Sequence, residues 1–384
     1  MGFLKKIFED GNEKKDLPNV IMILVDGTRY DFAKNHPNYQ SFFRRGTLFS
    51  NMITYAPYTI SAVHAIFTGA YGSKNGVDNY YGSLGFKKDQ FKTTAEYFKN
   101  AGHFTFGDSL NEVCVPSFGF DRFTIQEEDY DCSKKHLEML NELKEINKRD
   151  KKCFLFLHYR HIHDSMVNNV GKKYGDFSKE YFEQQQLNRK NYDKYISKAD
   201  QYLEKIYQEL EKLKLFDDSL IVLFSDHGAS TGERIGEKIY GSYCYDYTLK
   251  MFSVFIYPKK FPIKKINTMT RSVDIFPTIL DSFNIQPFSQ ISGKSLFPLI
   301  EDNEKVSRVA FSQTAGLGGP YPSPKKPNVS SVRTNKWKLI HNHTPNTYEL
   351  YNLIDDPQET DNLYGKRMLE EEKLKALLAK EVQR

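Results

Sequence analysis

"NVIMILVDG", residues 19–27, is an unbroken apolar run that ends on Asp26 and Gly27. A strand buried on both faces of a parallel sheet reads this way: helices cover it above and below, and its carboxyl end delivers a polar side chain. Two further segments repeat the design. "CFLFLHYRHIHD" (153–164) passes from an apolar run into His158, His161, His163 and Asp164, and "SLIVLFSDHG" (219–228) runs into Asp226, His227 and Gly228. Between them, "ADQYLEKIYQELEKLKLF" (199–216) places Leu203, Ile206, Leu210 and Leu213 at helical spacing with charges elsewhere, the pattern of an amphipathic crossover helix. The alternation predicts an α/β fold with a mainly parallel central sheet and helices on both faces. Ligands of such sheets bind beyond the carboxyl ends of the strands. Asp26, the 158–164 cluster and the Asp226–His227 pair are therefore expected to converge, although they lie far apart in the chain.

Composition narrows the function classes. The chain has 384 residues, 39% of them hydrophobic and 14% aromatic, too apolar for a disordered polymer. Its net charge of +5, from 54 basic and 49 acidic residues, is small and interspersed, so there is no nucleic-acid footprint, while a small anionic substrate is compatible. The four cysteines (Cys114, Cys132, Cys153, Cys244) have no CxxC spacing and read as reduced thiols. No apolar run approaches the ~18 residues of a membrane span, and the start lacks a signal-peptide core, so a cytoplasmic location is expected. Residues 1–17 read as a charged tail; Phe3, Leu4, Ile7 and Phe8 share one helical face beside Lys5 and Lys6, a weak case for peripheral membrane contact. The expected division is tail 1–17, catalytic α/β domain 18–300 and C-terminal subdomain 301–384. In the last, "GLGGPYPSPKKP" (316–327) is a loop, and "SSVRTNKWKLIHN" (330–342) and "YELYNL" (348–353) are strands of a small antiparallel α+β unit. The oligomeric state is not encoded in any recognisable pattern.

Asp226 and His227 together offer a hard oxygen and an imidazole, which suits one divalent ion, Mn²⁺ or Zn²⁺, with Ca²⁺ or Mg²⁺ as alternatives. Asp26 brings a second carboxylate from another strand tip. By themselves, Asp226 reads equally as a helix cap and His227 as a rim residue. In "APYTISAVHAIFTG" (56–69), Thr59 and Ser61 open a run of small and apolar residues that reads as a buried helix. A helix N-terminus holds a tetrahedral oxyanion, and a hydroxyl placed there beside a cation becomes a nucleophile. In isolation, either hydroxyl reads as an N-cap.

A series of segments decides between these readings. "PNVIMILVDGTRYD" (18–31), "FTGAYGSKNGV" (67–77), "AGHFTFGDSLN" (101–111), "FGFDRF" (118–123), "VLFSDHGASTGE" (222–233), "MFSVFIYP" (251–258), "RSVDIFPTILDSFNI" (271–285), "ISGKSLFPLI" (291–300) and "ELYNLIDDPQETDNL" (349–363) follow one another in order. They resemble the sulfatase and alkaline-phosphatase superfamily over nearly the whole chain. The sulfatase motif C-x-P-S-R, whose Cys or Ser becomes formylglycine, lies nine residues before the Thr of Thr-Gly; counting back from Thr68 gives Thr59, in T-I-S-A-V. Without that Cys, Pro and Arg, the resemblance implies an unmodified threonine nucleophile, similar to that of phosphoethanolamine and phosphoglycerol transferases. The expectation is a metal-dependent hydrolase or transferase of a phosphate ester, working through phosphothreonine. Its alternatives are a sulfuric-ester hydrolase without formylglycine and an inactive binding protein of the same fold.

The resemblance also distributes roles. Asp26-Gly27 replaces the family's paired Asp, which implies a single metal on Asp26, Thr59, Asp226 and His227. His161 or His163 matches the mid-chain His and is expected to protonate the leaving oxygen; Lys238 corresponds to a late Lys that neutralises the substrate. Asp108, Ser109 and Asn111 stand near where sulfatases place a Lys and a His. His158, His341 and His343 are assigned structural or surface roles, and Asp200 a structural bond on the crossover helix. The expected substrate is a small anionic ester, such as a glycan or glycerol phosphate.

Overall fold

A computed structural model describes residues 17–304, 307–366 and 368–382; the tail and its Phe3–Phe8 face lie outside these residues. The opening run forms β1 (Asn19–Val25), every residue of it buried. Its alternate side chains explain the unbroken apolar pattern, since neighbouring residues of a strand point to opposite faces. Val20, Met22 and Leu24 enter one core with Val63, Ile66 and Phe67; Ile21, Ile23 and Val25 enter the other with Tyr192, Ile196 and Leu203. Each such side chain contributes about 1.5–3 kcal/mol by leaving water.

The main sheet comprises β1, β2 (Thr47–Ile53), β3 (Phe104–Ser109), β4 (Arg122–Ile125), β5 (Cys153–Tyr159), β6 (Ser219–Phe224), β7 (Lys250–Ile256), β8 (Lys264–Ile266) and β9 (Thr270–Arg271). Its order is β4-β3-β5-β1-β6-β7-β2-β8, with β9 beside β2. β1 lies parallel between β5 and β6, and β7 alone runs against its neighbours β6 and β2. The expected mixed but mainly parallel α/β sheet is the observed one.

The helices that bear on the argument are α1 (Thr59–Thr68), α2 (Cys132–Asn147), α3 (His161–Met166), α4 (Gln185–Lys212) and α5 (Leu369–Val382). α1 is buried along its whole length. α4 is the crossover helix, but it begins at Gln185, well before the periodic stretch. Within it, Asp200 accepts from the backbone N–H groups of Asn38 and Tyr39 at 2.8 and 3.0 Å. It thereby satisfies the open N-terminus of the short helix Pro37–Phe43.

A second sheet, β10 (Ala310–Thr314), β11 (Val329–Arg333), β12 (Trp337–Asn342) and β13 (Thr347–Asn352), is antiparallel throughout. Its Phe311, Val332, Leu339 and Leu350, with Leu374 and Leu378 of α5, belong to the same hydrophobic cluster as β1 and α1. Nearby, Asp246 pairs with Arg333 at 2.9 Å and Lys338 at 3.0 Å, and Lys338 with Glu359 at 2.7 Å. All four cysteines are buried and unpaired. Among the described residues, no helix is long and apolar enough to cross a membrane.

Candidate active site at the strand tips

The register of β5, β1 and β6 builds the site. Leu24 stands opposite His158 on one side and Phe224 on the other, so the three carboxyl ends finish at one level. Asp26 leaves β1 with its N–H on the carbonyl of Tyr159, at 3.1 Å. Gly27 then turns with φ +70°, a conformation that costs glycine little, and its N–H donates to Asp226 Oδ1 at 3.1 Å. The His227 N–H donates to the same oxygen at 2.9 Å. Asp226 is thus fixed by one oxygen, while its buried Oδ2 has no hydrogen-bond partner.

Asp26 is held in the same one-sided way. Its Oδ2 accepts from His158 Nε2 at 3.0 Å and from the Thr59 hydroxyl at 3.4 Å, and its buried Oδ1 has no hydrogen-bond partner. His227 Nδ1 lies 2.7 Å from the carbonyl of Gly228; an acceptor there requires the proton on Nδ1 and leaves the lone pair on Nε2. That Nε2 stands 3.3 Å from Thr59 Oγ1, 3.5 Å from Asp226 Oδ2 and 3.6 Å from Asp26 Oδ1. Asp26, Asp226 and His227 thus each present one donor atom, all within 4.8 Å of one another. Two buried carboxylate oxygens without hydrogen-bond partners and one imidazole lone pair fit a divalent cation of the Mn²⁺ or Zn²⁺ type.

The electrostatics express the same strain. Burial works to raise the pKa of Asp26, but the His158 hydrogen bond and the charges of His163, His158 and His227 outweigh it and hold the carboxyl far below its usual range. Asp226 moves the other way, raised by burial and then by the negative charge of Asp26. For His158, burial opposes the charged form, but Asp26, Asp226 and Asp108 win and raise its pKa.

Thr59 is the first residue of α1. The N-cap Tyr58 is extended, with φ −157°, and makes no side-chain cap bond. The N–H groups of Thr59, Ile60 and Ser61 precede the first intrahelical bond, which runs from Ala62 to Tyr58, and so face outward at the positive end of the helix. Ser61 instead donates to the Tyr58 hydroxyl at 3.1 Å and takes no part in the Asp–His group.

The two histidines of α3 separate. His163 Nδ1 lies 3.9 Å from Asp26 Oδ2 and 3.0 Å from the Tyr240 hydroxyl; His161 bonds with Ser165 at 3.3 Å and touches none of the donor atoms. Lys238 is likewise elsewhere. Its ammonium donates to the carbonyls of Gly171 and Tyr174 at 3.0 and 2.5 Å and pairs with Asp176 at 3.3 Å, so it fastens a loop instead of facing the donor group. The assignment of His158 to a structural or surface role needs correction: it is fully buried and supports Asp26 directly.

Tyr240 and a deeper network carry no signal in the sequence. The Tyr240 ring lies 4.7 Å from that of His227 and 5.9 Å from that of His163. Behind His158, Asp108 accepts its backbone N–H at 3.0 Å, and His136 of α2 joins Asp108 at 2.8 Å and Tyr202 at 2.7 Å.

These features together define a class of protein: a mainly parallel α/β sheet that gathers acid, imidazole and hydroxyl groups at its strand tips. Comparison with known proteins specifies it. The sulfatase family model matches residues 18–285 and the model of the N-sulphoglucosamine sulphohydrolase C-terminal region matches 240–384; the chain belongs to the sulfatase family. It is 29% identical over 173 residues to an N-acetylglucosamine-6-O-sulfatase of Bacteroides thetaiotaomicron, covering 44% of this chain and 30% of that protein. Arylsulfatase K of Xenopus laevis is 26% identical over 174 residues, covering 44% and 32%. The match therefore spans about a third of the length of these curated relatives. A solved structure in complex with its substrate D-glucosamine-2-N,6-O-disulfate superposes with a TM-score of 0.76 at 17% identity, covering 96% of this chain and 98% of that one. The phosphonate monoester hydrolase of Agrobacterium radiobacter gives 0.71 at 16% identity, covering 95% and 94%. At such identities these structures establish the shared fold.

Proposed function

We propose that the chain is a metal-dependent sulfuric-ester hydrolase that uses Thr59 as an unprocessed nucleophile. The supporting observation is the Thr59 hydroxyl at the head of α1, 3.4 Å from Asp26 and 3.3 Å from His227. The family and the sulfatases among its relatives favour a sulfate ester over the phosphate ester expected from the threonine alone. Asp26, Asp226 and His227 would hold a divalent ion, which would supply neutralisation of the anion's oxygens and a lowered pKa for a nearby hydroxyl.

The chain's own groups do the rest. The open N–H groups of α1 orient the anion. The Thr59 oxygen attacks sulfur, its proton passing to Asp26 Oδ2, the carboxylate oxygen to which the hydroxyl already donates; the bond from sulfur to the ester oxygen breaks, and His163 gives that oxygen a proton. Water then attacks the sulfur of the threonine ester, releasing sulfate and restoring the alcohol. His158, through its bond to Asp26, keeps that carboxylate aimed.

The test is turnover of an aryl sulfate by protein stripped with a chelator and reloaded with Mn²⁺ or Zn²⁺. Thr59→Ala is expected to reduce kcat/KM by roughly 10²-fold or more; activity unchanged by that variant, or by removal of the metal, rejects the reading. A second reading, phosphoester chemistry, rests on one observation: residues 59–63 read T-I-S-A-V, an ordinary threonine with no Cys to convert. A kcat/KM for aryl phosphate well above that for aryl sulfate selects it.

A further inference from the structure

Three imidazoles stand around Asp26, and they differ in what their ring nitrogens do. His158 commits Nε2 to Asp26 and Nδ1 to the Ser109 hydroxyl, 3.2 Å away. His227 commits Nδ1 to the Gly228 carbonyl and turns Nε2 to Thr59. His163 directs Nδ1 at the Tyr240 hydroxyl, 3.0 Å away, and at Asp26 Oδ2, 3.9 Å away; among the described residues its Nε2 makes no hydrogen bond. We propose that Tyr240 is a positioning residue for ester cleavage: its hydroxyl oxygen accepts from the Nδ1–H of His163 and fixes the ring so that Nε2 is the atom that exchanges protons with the substrate. The inference rests on the ester-hydrolase reading, in which His163 protonates the leaving oxygen.

Both neighbours of Nδ1 favour a proton on that nitrogen. The carboxylate of Asp26 only accepts, and a phenolic oxygen can accept as well as donate. With Nδ1–H held on that side, Nε2 on the other edge of the ring carries either the second proton of the imidazolium or a lone pair. The Nε2 proton passes to the ester oxygen as the bond to sulfur breaks, while the Nδ1 proton stays on the ring. Nε2 then takes a proton from the water that attacks the sulfur of the threonine ester, and the Thr59 oxygen regains its own from Asp26 as it leaves. Rotation of a histidine ring about χ2 is only weakly restricted, and the His163 side chain is 18% exposed, so the ring has room to turn unless a bond holds it.

Tyr240 is itself anchored well enough to hold another side chain. Its ring packs on that of His227, 4.7 Å between centres, and against the core that contains β1 and α1. The loop beneath it is tied on several sides. The Glu237 carboxylate accepts from the N–H groups of Ser242 and Tyr243 at 2.7 and 3.0 Å. The Gly241 carbonyl accepts from the Thr314 hydroxyl of β10, and Gly316 packs so close to that carbonyl that any Cβ there would collide with it. The second sheet thus bears on the strand-tip group through this loop: β10 braces Gly241, and its neighbour Tyr240 braces His163.

Tyr240→Phe keeps the ring and removes the hydroxyl. In the metal-loaded variant, its folding checked by Tm, kcat/KM is expected to fall about tenfold or more for phenyl sulfate and progressively less toward 4-nitrophenyl sulfate, whose phenolate departs with little help. A steeper dependence on the acidity of the leaving phenol supports the positioning role; an equal fall across the series, or none, overturns it. His163→Gln is expected to steepen the dependence in the same way, and adding Tyr240→Phe to it to change nothing further; an additional fall in the double variant overturns the proposal. A measurement that needs no turnover is ¹⁵N–¹H NMR of the Zn²⁺-loaded protein. The Nδ1–H proton of His163 is expected in the wild type and in Thr59→Ala and is expected to be lost to solvent exchange in Tyr240→Phe; its persistence there overturns the assignment. Failure of the ester-hydrolase reading shows instead in the Thr59→Ala and chelator assays, on which this NMR contrast does not depend.

Discussion

Two of the buried charge clusters among the described residues are built on opposite rules. Beside the second sheet, Asp246 and Glu359 face Arg333 and Lys338 at 2.7–3.0 Å, two carboxylates against two permanent cations. At the strand tips, Asp26 and Asp226 face imidazoles, and each keeps one buried oxygen without a hydrogen-bond partner. The first cluster is neutral within the chain and serves as cement between the β11–β12 hairpin and the loop before β7. The second sets two carboxylates against backbone N–H groups and imidazoles with no permanent cation, an arrangement that added positive charge would favour. Burial alone does not distinguish structure from chemistry; the balance of charge inside the burial does.

The largest effect that sharpens this contrast is on the cement. Lys338→Met strands the buried carboxylate of Glu359 and leaves Asp246 with Arg333 alone, and is expected to lower stability by about 3–5 kcal/mol, read by urea unfolding; a loss under ~1 kcal/mol removes the contrast.

Next comes Glu237, a buried carboxyl that accepts from the N–H groups of Ser242 and Tyr243. Burial pushes its pKa from 4.5 up to about 7. A raised carboxyl pKa means that the folded state prefers the proton. The stabilisation is therefore full below pH 4.5 and lost as pH rises to 7, about 3 kcal/mol in all. Glu237→Gln is expected to flatten that fall in a pH series of Tm values, and an unaltered slope assigns it elsewhere.

At the tips, Mn²⁺ or Zn²⁺ at a hundredfold excess over Kd is expected to stabilise the wild type by ~2.7 kcal/mol. Asp226→Asn should abolish that gain while leaving the chelated protein at least as stable as the chelated wild type, because a repulsion is removed; calorimetry with and without chelator reads both. The smallest effect belongs to His158→Gln, expected to weaken metal affinity roughly 10–100-fold by freeing Asp26. A variant of equal affinity reduces His158 to packing.

The strand tips were legible because a strand covered on both faces leaves no polar residue until it ends, so Asp26, Asp226 and His227 stand out. His158 stood out with its cluster, but its bond to Asp26 did not, since it lies inside β5, where doubly buried strands show no alternation to say which way a side chain points. The first half of α4 escaped for a related reason: from Gln185 to Lys198 only Tyr192 and Ile196 are buried, too few to mark a period. β10 was missed because its inward Ser312, Gln313 and Thr314 are polar; their partners, such as the Thr54 carbonyl 2.6 Å from the Ser312 hydroxyl, come from distant chain. Lys238 was misplaced because irregular loops carry no periodicity by which to count.

The level finish of β5, β1 and β6 has an engineering consequence. The meeting of Asp26, Asp226 and His227 is written into the ladder of hydrogen bonds between neighbouring strands, whereas His163 and Tyr240 are carried by the connections that leave β5 and β6. A chimera that exchanges those two connections for foreign ones is expected to change what surrounds the Asp26–Asp226–His227 group and leave the group itself in place.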